Sequence, residues 1–132
     1  LIADSNFLQK SALREYLAGG GIVCLPGERD LRRTGVPVTF FGEQTRMPAG
    51  AARLAVETGA PLLVAQFWYA DEETMRVRIT PPIDVSGGIE PAVQAMADLF
   101  AEGIARHPAD WHMLQPLWLD DLPAERRARI ER

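Results

Sequence analysis

Cys24 is the only cysteine in the chain. One thiol can form no intrachain disulfide and no thiolate metal cluster within the chain. Set inside the apolar run 22–25, it is expected to be a small buried hydrophobe rather than a nucleophile. Histidine is nearly as scarce, with only His107 and His112 present. The carboxylate and histidine spacings make no metal site, and no serine sits in a nucleophile elbow. Apolar runs are short; the longest, residues 60–70, is about half of the ~20 residues a membrane helix needs. Basic residues are outnumbered, 14 Lys and Arg against 18 Asp and Glu, for a net charge of -4. That balance argues against nucleic acid as the main partner, since phosphate backbones need a basic surface. It leaves room for a local basic patch on a lipid headgroup.

What is present reads as one domain or part of one: 132 residues, 47% hydrophobic and 24% charged. Ser5 or Asn6 can cap a first helix, on which Phe7, Leu8, Leu13, Tyr16 and Leu17 recur at helical spacing. Gly19, Gly20 and Gly21 stop it. They follow a helix and precede a strand, the reverse of the order a phosphate loop needs. A uniformly apolar strand at 22–25 then meets a charged loop, 26–35, and a second strand spans 36–41. Pro37 cannot donate to a ladder, so that strand starts late or lies at an edge.

Pro48 can open a helix to Thr58 whose small residues, Ala49, Gly50, Ala51, Ala52 and Ala55, permit close approach. The run 62–69, apolar but for Gln66, is expected to be a central strand. Asp71, Glu72 and Glu73 form a turn, and 75–80 alternates as a strand with one wet face. Ile89, Val93, Met96, Phe100 and Ile104 mark a long amphipathic helix that ends at His107-Pro108. Residues 109–118 hold Trp111 and Trp118 and are expected to dock on the core. Residues 120–132 read as a solvated tail with a basic end, Arg126, Arg127, Arg129 and Arg132. With the tryptophans, that end could rest on anionic lipid.

This order predicts an α/β fold with a mixed central sheet flanked by helices. Four strands leave the apolar set thinly covered, so part of the sheet is expected from chain outside this stretch. Leu1 is not an initiator methionine and its neighbours read like an element cut partway. The division expected is residues 1–119 as the C-terminal part of a single α/β domain and 120–132 as a tail.

Chemistry concentrates where the first strand ends, at Pro26-Gly27-Glu28-Arg29-Asp30. In open α/β sheets ligands bind beyond strand ends. Charge there is costly unless paired or used. Glu28 can accept a substrate hydroxyl or orient a histidine, or else pair with Arg29 or Arg46. Arg29 and Asp30 read as stabilising their loop. Arg32 and Arg33 read as solvated, with phosphate contact as the alternative. Arg46, before the Pro48 helix start, could hold an anion together with that helix's amides. His107 reads as a helix cap, and His112 as a half-buried histidine or a site residue.

Three stretches carry a resemblance: Pro26-Gly27-Glu28-Arg29-Asp30, residues 35–42 (GVPVTFFG) and Arg46-Met47-Pro48-Ala49-Gly50. With Pro108-Ala109-Asp110-Trp111-His112-Met113-Leu114-Gln115 they resemble successive motif blocks of the bacterial lipid A and phosphatidylinositol mannoside acyltransferases. The match covers most of 7–119 and is strongest to the mycobacterial branch. It implies acyl transfer from an acyl-CoA donor, as substrate and without a cofactor, to a sugar hydroxyl of a glycolipid acceptor. It also implies a peripheral enzyme on the cytoplasmic face of the plasma membrane.

Glu28 matches the family's motif carboxylate, and Arg29, Asp30, Arg46 and His112 match motif blocks with implied substrate roles. Helix 48–58 and strand 62–69 could wall an acyl tunnel. The family's catalytic His-x4-Asp lies upstream of these blocks and is not in this sequence: His112 is five residues after His107, and Leu117 five after His112. An N-terminal half carrying that motif is therefore the expected partner. The competing reading is a non-catalytic lipid-binding or membrane-surface module without the base. A nucleotide-binding α/β domain has only the misplaced glycines behind it.

Overall fold

The computed structural model describes residues 10–30 and 35–130. The caps proposed at Ser5 and Asn6, together with Arg32, Arg33 and Arg132, lie outside them. Helix α1, Lys10–Ala18, presents Leu13 to Leu54 of α2, Gly50–Thr58. Arg14 and Glu57 join the same two helices at 2.5 Å, although this pair is too exposed to contribute much. Gly59 closes α2 at φ 72°, its N–H on the Ala55 carbonyl.

The longest element is α3, Ile89–Arg106, which begins and ends where its apolar periodicity and His107-Pro108 require. It is the support for two antiparallel hairpins. In the first, β1 (Val36–Phe40) pairs with β2 (Glu43–Met47), from Val36 opposite Met47 to Phe40 opposite Glu43. Val38, Phe40 and Met47 pack on Ala92, Val93, Met96 and Ala97 of α3 in the main core. In the second, β3 (Ala65–Tyr69) pairs with β4 (Met75–Ile79), and Phe67 faces Val77. The aromatic segment docks as expected: Phe40 stacks on Trp118 at 6.2 Å and meets Trp111 edge-on at 6.1 Å. Trp118 Nε1 donates to the Phe40 carbonyl at 2.8 Å.

The α/β class is as the sequence predicts, but among the described residues the strands form two separate hairpins rather than one mixed sheet. Strand β2 lies between the strand at 36–41 and the Pro48 helix start, where the sequence reading assigns no element. Its hairpin turn is Phe41-Gly42, with φ 52° and 83°. Two-residue hairpin turns need positive φ at both positions, which normally selects Asn-Gly. A phenylalanine there hides the turn.

The run 22–25 makes only an isolated bridge, at Cys24. Cys24 is exposed and Ile22 is 75% exposed. The buried reading of Cys24 is thus corrected: Val23 and Leu25 pack on Leu13 and Leu54, and among the described residues the opposite face, with Ile22 and Cys24, is exposed. The run 62–69 is not central either. Leu62, Val64 and Gln66 face inward, while Leu63, Phe67 and Tyr69 are exposed. Strand β4 is exposed on both faces rather than one. Within the solvated tail, residues 124–130 form a helix, α4, Ala124–Ile130. An ion pair from Arg127 to Asp120 ties it to the 3-10 turn Leu119–Asp121.

Candidate functional site

Two cavities flank the charged loop, and they divide its residues. Gly27 is the pivot. A Cβ on it would stand 2.4 Å from Phe100 Cζ, so any other residue has to displace the Phe100 ring for the loop to lie this close to α3. That approach delivers Glu28 to a cavity of about 180 Å³ between the loop, β3 and the end of α3. Gln66, His107, Asp110 and Trp111 supply its other polar groups, and Ala65, Phe67, Phe100 and Ile104 its apolar walls.

Glu28 is half-buried and makes no hydrogen bond or ion pair among the described residues. Its alternative as the partner of Arg29 or Arg46 is therefore not what the structure holds. The surrounding groups are otherwise committed. Gln66 Nε2 donates to the Leu99 carbonyl at 2.6 Å. Asp110 Oδ2 accepts from the Tyr69 N–H at 3.1 Å. His107 caps α3 as expected, its N–H on the Ile104 carbonyl, and its ring stacks on Trp68 at 4.7 Å and 5°. The Trp111 Nε1 is the exception: it is buried and has no acceptor. Natively folded proteins rarely leave such a donor unpaired.

Arg29, Asp30 and Arg46 line the second hollow, of about 390 Å³, with Gln115 and Arg126. Gly35 knits this side together. Its N–H donates to Asp30 Oδ2 at 2.6 Å, and its carbonyl accepts from Arg46 Nη1 at 2.9 Å. Asp30 is thus a loop clasp, as read. Arg46 sits within β2 opposite Pro37, with residues 47–49 between it and α2. His112 is exposed and lines neither cavity. His107, Trp111 and Arg126 were not singled out as site residues. Only the Pro108–Gln115 block pointed near them.

Among the described residues no group of three His, Cys, Asp or Glu side chains is placed to hold a metal ion. Fold and cavities together define an α/β unit with an unpaired carboxylate in one cavity and an arginine-lined hollow beside it. Residues 3–120 match the family model of the bacterial lipid A biosynthesis acyltransferases, and the chain belongs to that family.

Among its relatives is the phosphatidylinositol mannoside acyltransferase of Mycobacterium tuberculosis, 54% identical over 119 residues. The protein of that name in Mycolicibacterium smegmatis is 53% identical over 119 residues. Each alignment covers 89% of this chain but only 37% and 39% of the relative. The chain therefore spans well under half the length of the relatives it matches.

Proposed function

We propose that the chain is the C-terminal part of an acyltransferase that moves a fatty acyl group from acyl-CoA to a sugar hydroxyl of a membrane glycolipid, of the phosphatidylinositol mannoside type. The observation that carries this is Glu28: an unpaired carboxylate in a cavity that is polar at one end and apolar along its walls. A sugar answers that cavity, because a hydroxyl beside the reacting one can donate to Glu28 while its oxygen accepts from the Trp111 N–H. The apolar walls suit the first methylenes of an acyl chain.

In the reaction the hydroxyl oxygen attacks the thioester carbonyl, the carbon–sulfur bond breaks to release the CoA thiolate, and the hydroxyl proton passes to a base that returns it to that sulfur. That base is the histidine of a His-x4-Asp motif supplied by the remaining length the relatives possess. The exposed outer face of the second hairpin supports such a partner. Phe67, Tyr69, Met75, Val77 and Ile79 share it, and Phe67 is 59% exposed. An apolar sheet face of this kind marks a docking surface. Glu28 supports the positive charge that develops on the histidine. The enzyme works peripherally, at the cytoplasmic face of the membrane. Among the described residues no helix is long and apolar enough to cross one, and Leu114, 91% exposed beside the arginine-lined hollow, can enter the interface.

The test is acyl transfer by the full-length enzyme and its Glu28→Gln variant. The variant loses about 10²-fold or more in kcat, the usual scale for one such group, with the melting temperature held. Near-normal kcat with a much lower melting temperature would make Glu28 structural. Turnover by residues 1–132 alone would remove the need for a second segment. Lipid binding without transfer by the full-length protein would favour a non-catalytic module.

A further inference from the structure

We propose that the second hollow is a phosphate site, in which Arg29, Arg46 and Arg126 together hold a phosphate group of a substrate. The proposal rests on the acyltransferase reading only for which substrate carries that phosphate. Three guanidinium groups line one hollow of about 390 Å³ with a single carboxylate, Asp30. The chain as a whole is acidic, at -4, so this local excess of positive charge is not a general property of its surface. Like charges brought together around a concavity repel unless an anion joins them. A phosphate is the anion whose geometry the planar guanidinium fork matches, two N–H donors to two oxygens.

The arginines come from three places that packing alone unites: the loop after the first strand, β2, and α4. Asp30 and Arg46 are clasped through the two backbone groups of Gly35. The chain leading to α4 is anchored on β2 by the Thr45 hydroxyl, which donates to the Leu117 carbonyl. The Arg127–Asp120 pair links α4 to the turn before it, and its neighbour Arg126 lines the hollow. Arg46 is thereby pre-placed for an anion, while the exposed side chains of Arg29 and Arg126 order on binding it.

Two substrates carry the chemistry: the nucleotide phosphates of the acyl donor and the phosphodiester of the acceptor lipid. The full-length enzyme is titrated calorimetrically with adenosine 3′,5′-bisphosphate and, separately, with glycerophosphoinositol, each with and without competing inorganic phosphate. One of the two binds, phosphate competes, and Arg126→Gln and Arg29→Gln each weaken that affinity about 10-fold, equivalent to ~1.4 kcal/mol. Arg126→Lys recovers only part, since it keeps the charge without the fork. In turnover the same variants raise KM for the substrate bearing that phosphate and leave kcat nearly unchanged, as loss of uniform binding does. Binding of neither compound overturns the site, as does an affinity that both glutamine variants leave unchanged. Normal turnover with unaltered KM values sinks the site and leaves the acyltransferase reading standing. Intact phosphate binding by an enzyme that transfers no acyl group does the reverse.

Discussion

The side chain of Gln66 occupies the space that a methyl group on Gly103 would need: a Cβ there would lie 2.7 Å from Gln66 Cδ. A buried polar residue in the middle of β3 is costly unless bonded, and the notch at Gly103 lets Gln66 reach the Leu99 carbonyl. The same pair forms part of the wall of the Glu28 cavity.

Gly103→Ala sets two effects against each other. Alanine in a helix interior gains up to ~1 kcal/mol over glycine. Displacing Gln66 strands a buried amide and overpacks the notch, costing ~1–3 kcal/mol each. The net expectation is a loss of about 1–5 kcal/mol, measured by denaturant unfolding. An unchanged or raised midpoint would show that Gln66 relocates freely.

The two tryptophans of the docked segment should respond in opposite ways. Trp118→Phe removes the bond to the Phe40 carbonyl and costs about 1 kcal/mol. Trp111→Phe removes a buried donor that has no acceptor, so the ligand-free chain keeps or slightly gains stability. In the full-length enzyme it raises KM for the sugar acceptor roughly 10-fold, the loss of about one hydrogen bond to substrate, while KM for acyl-CoA holds. A clear fall in the melting temperature of the ligand-free chain would mean that the indole N–H is satisfied within the protein.

Val77→Lys places a charge in the middle of the exposed hairpin face, where Val77 is 53% exposed and opposite Phe67. In residues 1–132 it should reduce self-association in sedimentation velocity with little change in melting temperature, since no buried contact is lost. In the full-length enzyme the same charge is buried by the docked segment and lowers stability by several kcal/mol. Equal tolerance in both would leave that face solvent-exposed in the whole protein.

Gly35→Ala tests the clasp. Its Cβ would stand 2.4 Å from the Met47 carbonyl oxygen, a backbone atom that cannot swing aside. The strands must part, and stability falls by roughly 2–4 kcal/mol, in the range of severe overpacking. Because Gly35 positions both Asp30 and Arg46, phosphate affinity falls with it. A stable variant with altered affinity would separate the clasp from the fold.

Residues 89–106 show what the sequence alone decides. Apolar side chains at helical spacing, bounded by Gly88 and by His107-Pro108, specify α3 end to end, because helix formation follows from contacts three and four residues apart. Alternation likewise marks β1 and β4, a continuous apolar run marks β3, and the motif blocks mark the family. The sequence also isolates Glu28 as the residue to examine, because a carboxylate directly after Pro-Gly at a strand end is a local signal.

What it does not decide is which side chains share a cavity. Glu28 and Arg29 are neighbours in sequence, yet one joins His107 and Trp111 while the other joins Arg126. Only tertiary packing separates them: Gly27 against Phe100 draws the loop onto α3, and Asp120 with Arg127 brings α4 to its other side. Periodicity reports the neighbours a residue has along its own element. The residues it meets across the fold depend on how closely two elements can approach, and here the missing Cβ at position 27 leaves room for the Phe100 ring.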